Sequence, residues 1–136
     1  PDFGPRAMGN SGATAVGARA FLIAFNVYLN TDNVEIAKKI AKTVRHSSGG
    51  LRYVKALGLL VNGQAQVSMN LTDFHQTPIH LVVEMIRREA TRYGVMIRHT
   101  ELVGMAPQQA LLDVAAWYLQ LDSFKSDLVL ENRLMG

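Results

Sequence analysis

The sequence contains no cysteine. That excludes a disulfide framework, a thiolate metal site and a cysteine nucleophile, and makes the cytoplasm the expected compartment. No run reaches the roughly 18 apolar residues of a membrane span, and no basic segment followed by an apolar one marks a signal peptide. Neither membrane nor secretion is therefore expected. Repeats, low-complexity tracts and internal linkers are also absent, so the 136 residues read as one unit able to bury about two thirds of the surface its unfolded form exposes. Charge of one sign is scarce too. Fourteen Lys and Arg against 11 Asp and Glu leave a net +3, enough to attract a small polyanion but no demand for nucleic acid. The chain opens on Pro rather than Met, as a fragment or a processed chain would.

What is present is a central segment, residues 18–30 (ARAFLIAFNVYLN). Phe21, Ile23, Phe25, Val27 and Leu29 alternate with Leu22, Ala24 and Tyr28, only Asn26 breaking the second set. A strand apolar on both faces is expected in the middle of a sheet covered on both sides. Thr31, Asp32 and Asn33 then start a helix, with Asp32 and Glu35 spaced as a capping box, and its stripe of Ile36, Ala37, Ile40, Ala41 and Val44 runs to about His46. A strand over 53–61, the turn pair Asn62-Gly63 and a strand over 64–73 form a hairpin. Thr77 as N-cap and Pro78 in the first turn begin a second helix, which Gly94 ends. Its inward stripe is Ile79, Val82, Val83, Ile86, Ala90 and Tyr93. A fourth strand over 95–103 and a third helix from Pro107 to about residue 121, with Ala110, Leu111, Val114, Ala115 and Tyr118 inward, complete the order. The apolar positions between 128 and 134 suit a further short helix. The order is βαββαβ plus a C-terminal helix: an α+β, ferredoxin-like fold with a four-stranded antiparallel sheet in the order 4-1-3-2.

Chemistry has two places to sit. On the third strand Gln66, Ser68 and Asn70 face one way, and Asn26 of the first strand joins them if the register allows. Amides and hydroxyls both donate and accept, which suits the edge of a pterin or purine; the same row would equally suit water or a neighbouring domain. Base stacking is disfavoured, since only Tyr28 offers a ring nearby. The leading loop is the second place: Gly4, Gly9, Gly12 and Gly17 permit positive φ and close backbone approach, and Arg6 carries a forked cation for a carboxylate. Among the four histidines, His75 and His80 are spaced too far apart to share a helix face, and His46 lies near a helix end. His99 points to the same side of its strand as Glu101, a pairing more typical of a surface or interface than of catalysis. No metal-ligand spacing is seen.

Several separated motifs, PDFGP, GAT, GAR-x-FLIAFN-x-x-L, QVSMNLTDF, TELVGM-x-P and ALLDVAA-x-Y, resemble the C-terminal part of the formiminotransferase domain of glutamate formimidoyltransferases, alone or fused to a cyclodeaminase. The resemblance fades after about residue 121. It implies a transferase that moves the formimino group of N-formiminoglutamate to tetrahydrofolate in histidine degradation, with tetrahydrofolate as acceptor, no metal, and a homo-oligomer as the complete enzyme. Residues 1–17 would be a folate-binding loop and linker from an N-terminal subdomain absent here, and residues 18–136 the C-terminal subdomain. Folate contacts are implied for Gly4, Pro5, Arg6, Ala7, Met8, Gly9, Asn10, Ser11 and Gly12; the strand reading adds Asn26, Gln66, Ser68 and Asn70 as candidates to line the cavity beneath. The loop departs from the animal version between Arg6 and Ser11, so its backbone role transfers better than its side chains. The family's catalytic histidine lies in a GEHPRMG-type motif, which this sequence lacks, so no catalytic residue is expected here. The alternative is a non-catalytic ligand-binding or dimerisation module of the same fold.

Overall fold

At Asn62 and Gly63 the backbone takes φ of 49° and 75°, the paired left-handed geometry that a two-residue hairpin requires. It joins β2 (Val54–Val61) to β3 (Gln64–Leu71). The computed structural model describes residues 2–7, 9, 10 and 12–135. The other elements are β1 (Ile23–Leu29), α1 (Val34–Val44), α2 (Ile79–Arg92), β4 (Ile97–Val103), α3 (Gln108–Tyr118) and α4 (Leu130–Met135). The strands form one antiparallel sheet in the order β2-β3-β1-β4, the α+β arrangement expected from the element order.

One face of this sheet is the core. Ile23, Val27 and Leu29 of β1 and Ala65, Val67, Met69 and Leu71 of β3 pack with Ala37, Ile40 and Val44 of α1 and Val82, Ile86 and Ala90 of α2. Two glycines let α1 settle this closely. A Cβ at Gly58 of β2 would strike the main chain of Ala37 and Lys38, and one at Gly50 would strike that of Thr43 and Val44.

The sheet is covered on one side only, which corrects the expectation drawn from the doubly apolar first segment. The strand begins at Ile23, five residues later than the apolar run. Phe21 ahead of it is 49% exposed, and the second alternating set ends up on a face that no helix covers. Apolar character on both sides marked a strand between neighbours, not one between two layers.

Helix starts differ in detail. Asn33, not Asp32, caps α1, its side chain accepting from the Glu35 N–H at 3.1 Å, while Glu35 pairs with Lys38 instead of closing a capping box. Pro78 occupies the cap position of α2 without a side-chain bond. The buried Thr77 donates its hydroxyl to the Arg52 carbonyl, tying the start of α2 to the approach to β2. Gly94 ends the helix at φ 67° as expected. Tyr93 is more exposed than its place in the stripe implied, and Glu89 from the opposite face is buried beside Arg92. In α3 only Ala110 is buried. Leu111 (50%) and Tyr118 (48%) are exposed, contrary to expectation, because this helix packs chiefly against α2. Leu128, Leu130 and Leu134 near the C-terminus are also exposed. No helix among the described residues is long and apolar enough to cross a membrane.

Candidate functional site

The uncovered face of the sheet carries three cross-strand rows fixed by register. Leu57, Ser68, Asn26 and Glu101 form one; Leu59, Gln66, Tyr28 and His99 the next; Lys55, Asn70, Ala24 and Val103 the third. Directly opposed side chains on one face lie about 5 Å apart. The expected cavity residues Asn26, Gln66, Ser68 and Asn70 therefore do share a face, with Asn26 opposite Ser68. They differ in access: Gln66 is 4% exposed between Leu59 and Tyr28, Asn26 and Ser68 are half-buried, and Asn70 is open.

The β1 and β4 side of this face is an organised polar cluster. Asn26 Nδ2 donates to Glu101 Oε2 at 3.0 Å, and the Tyr28 hydroxyl donates to the same oxygen at 3.3 Å. The second carboxylate oxygen receives neither. His99 stacks on Tyr28 with ring centroids 4.4 Å apart and planes 14° from parallel. His99 and Glu101 thus do point the same way, joined through Tyr28 rather than to each other. A carboxylate held by two donors on one oxygen keeps its other oxygen for an incoming N–H.

The leading loop is different in kind. Every described residue from 2 to 21 is exposed, including Gly4, Pro5, Arg6, Ala7, Gly9, Asn10 and Gly12; Met8 and Ser11 lie outside the described residues. Gly4 and Gly12 take φ of 88° and 71°, whereas Gly9 and Gly17 do not use their freedom. The Gly12 N–H closes a turn onto the Gly9 carbonyl at 3.0 Å. A Cβ added at any of these four glycines would meet nothing within 4 Å.

The remaining histidines lie elsewhere. His46 begins the turn after α1, and His75 sits on the Phe74 ring. His80 stacks on Trp117 between α2 and α3 with its Nδ1 buried and unpartnered. Burial pushes the His80 pKa below the usual imidazole value, partly opposed by the Asp113 carboxylate. On the same surface, the Tyr118 hydroxyl donates to Glu84, and with Arg87 beside it holds that carboxyl below its usual range. Among the described residues no group of three or more His, Asp or Glu is placed to hold a metal ion.

A concavity of about 680 Å³ runs along the outer edge of β2 and onto the open face, where it reaches Ser68 and Asn70. Arg45, His46, Arg52 and Lys55 line it; the sequence pointed to none of the three permanent cations, and to His46 only as a residue near a helix end. A signal existed. An Asn62-Gly63 turn makes paired positions of the hairpin sum to 125, which places Lys55 opposite Asn70.

The sequence model of the formiminotransferase domain matches residues 24–134. This chain belongs to the formiminotransferase domain family. It is 50% identical over 136 residues to glutamate formimidoyltransferase of Thermoplasma acidophilum, covering 98% of this chain and 45% of the relative. Against glutamate formimidoyltransferase of Streptococcus pyogenes the identity is 48% over 140 residues, covering 100% and 47%. Against formimidoyltransferase-cyclodeaminase of Rattus norvegicus it is 43% over 127 residues, covering 87% and 23%. The formiminotransferase chain described here thus spans about half the length of the first two relatives, and its sheet presents one finished and one uncovered face.

Proposed function

We propose that this chain is the folate-contacting half of a glutamate formimidoyltransferase, which transfers the formimino group of N-formiminoglutamate to N5 of tetrahydrofolate. Its family membership supports this reading, together with one structural observation: amide, hydroxyl and carboxylate groups of Asn26, Ser68, Asn70 and Glu101 share a sheet face that no helix among the described residues covers. Paired donors and acceptors of this kind match the edge of a pterin.

In the transfer, N5 of the folate attacks the amidinium carbon and forms a tetrahedral intermediate. The C–N bond to glutamate then breaks, and the proton lost by N5 must reach the departing glutamate nitrogen. The sequence has no GEHPRMG-type motif, and its strand histidine is held against Tyr28. In this reading the chain binds and orients, while the proton donor belongs to a preceding subdomain that covers the open face. The leading loop would then gain the surface that it lacks in isolation. Cytoplasmic location and assembly of the complete enzyme as a homo-oligomer belong to the same proposal.

Calorimetric titration of the chain with 5-formyltetrahydrofolate tests this. Saturable micromolar binding without turnover of N-formiminoglutamate is expected, and absence of binding would sink it. The exposed Leu57 and Leu59 beside the polar rows favour a second reading, a dimerisation module. Concentration-dependent sedimentation without folate binding would select that one.

A further inference from the structure

The concavity at the outer edge of β2 is unusual in its charge. Arg45, His46, Arg52 and Lys55 contribute to its wall, and no Asp or Glu does. None of the three permanent cations is in an ion pair among the described residues. Arg45 donates through Nε to the Ser48 hydroxyl at 2.7 Å, and the Arg52 guanidinium lies over the Tyr53 ring, 5.3 Å from its centroid. Both heads are held in place by neutral neighbours, and their charge is left uncompensated. Tyr53 itself takes φ of 66°, so the chain turns sharply just where Arg52 and Lys55 bracket the groove.

Position adds to this. β2 is one of the two outer strands of the sheet, so one of its edges faces no partner strand, and at its start the Val54 N–H is taken up by the Leu51 carbonyl at 3.3 Å. Lys55 stands opposite Asn70 and one pair along from Leu57 and Ser68. The groove is therefore continuous with the polar rows of the open face. Three inter-strand spacings, about 14 Å in all, separate its cations from the Glu101 and His99 end.

We propose that this groove is a binding site for a glutamyl dicarboxylate, with Arg52 and Lys55 as its anion-binding residues and Arg45 as a third cation in its wall. Forked guanidinium donors and an ammonium together suit two carboxylates on one short chain. The assignment rests on the transferase reading, in which the folate acceptor and the formiminoglutamate donor both carry this group. It moves the anion contact from Arg6 in the leading loop to the body of the domain.

The test compares the Arg52→Gln, Lys55→Gln double variant with the unaltered sequence in the complete protein that carries this chain. Binding is measured for 5-formyltetrahydrofolate, for 5-formyltetrahydropteroate, which lacks the glutamyl end, and for N-formiminoglutamate. If the acceptor uses the groove, affinity for the glutamylated folate falls roughly tenfold or more and that for the pteroate is unchanged. If the donor uses it, only N-formiminoglutamate binding falls by that factor. In the unaltered protein, added salt should weaken the same ligand selectively, a readout independent of any effect of substitution on folding. Equal affinities in both proteins with no selective salt dependence would overturn the groove assignment while leaving the transferase reading intact. Failure of the unaltered protein to bind any of the three ligands would overturn both.

Discussion

The leading loop and the open face of the sheet are both candidate ligand surfaces, and they are built in opposite ways. On the sheet, register alone brings Asn26, Ser68 and Glu101 into line, and hydrogen bonds of 3.0 and 3.3 Å hold the carboxylate. In the loop the backbone bond found among the described residues is a turn between Gly9 and Gly12. A ligand reaching the sheet meets groups held by hydrogen bonds, whereas one reaching the loop meets a segment whose described residues are all exposed. Glycine has a corresponding double use. Gly58 is required by what lies against it, and Gly12 by its own dihedral angle.

Gly58→Val is the strongest way to break this contrast. The branched side chain must displace the main chain of α1, so a loss of about 3 kcal/mol or more is expected, the upper range for over-packing. Chemical denaturation measures it, and near-native stability would mean that α1 does not sit on β2 so closely. Gly12→Val should leave the denaturation midpoint almost unchanged, since the position touches nothing, yet the left-handed φ is strained for a branched residue. Weaker binding of 5-formyltetrahydrofolate by the complete protein is the expected result, and unchanged affinity would remove the loop from the site.

The smallest effect is expected from pH. His80 has a folded pKa lowered by burial, so the unfolded chain binds its proton more readily. Its contribution is at full strength above about pH 6.5, the unfolded value, and is lost as pH falls from there through the lower folded value. Denaturation at pH 8 and pH 5 should therefore differ less in His80→Gln than in the unaltered chain. Equal differences would show that Trp117 does not shield the imidazole.

The elements were legible because the hairpin and helix signals are local. Asn62-Gly63 and Gly94 need only their own dihedral angles to act, and the strand order followed from crossover handedness once the elements were named. The layer beyond the sheet was not legible. The sequence 21–29 cannot distinguish apolar residues awaiting a helix from those facing an open surface, and Leu111 and Tyr118 looked inward only because a helical stripe does not reveal what lies opposite it. At the site, the alternation of β3 placed Gln66, Ser68 and Asn70 on one face, and Asn26 was found there as well. The partnership of Tyr28 with both His99 and Glu101 needed the β1 to β4 register, which no turn motif fixes. Arg45 and Arg52 come together across a bend in the chain, beyond the reach of periodicity.

Outer strands are usually the softest part of a sheet, since they have a neighbour on one side only. Here the missing side chain at Gly58 lets a helix bear directly on β2 through backbone atoms, and the Thr77 hydroxyl pins the chain just upstream at the Arg52 carbonyl. Strand and helix should move as a single stiff plate, so amide exchange along β2 should be slow for a peripheral strand.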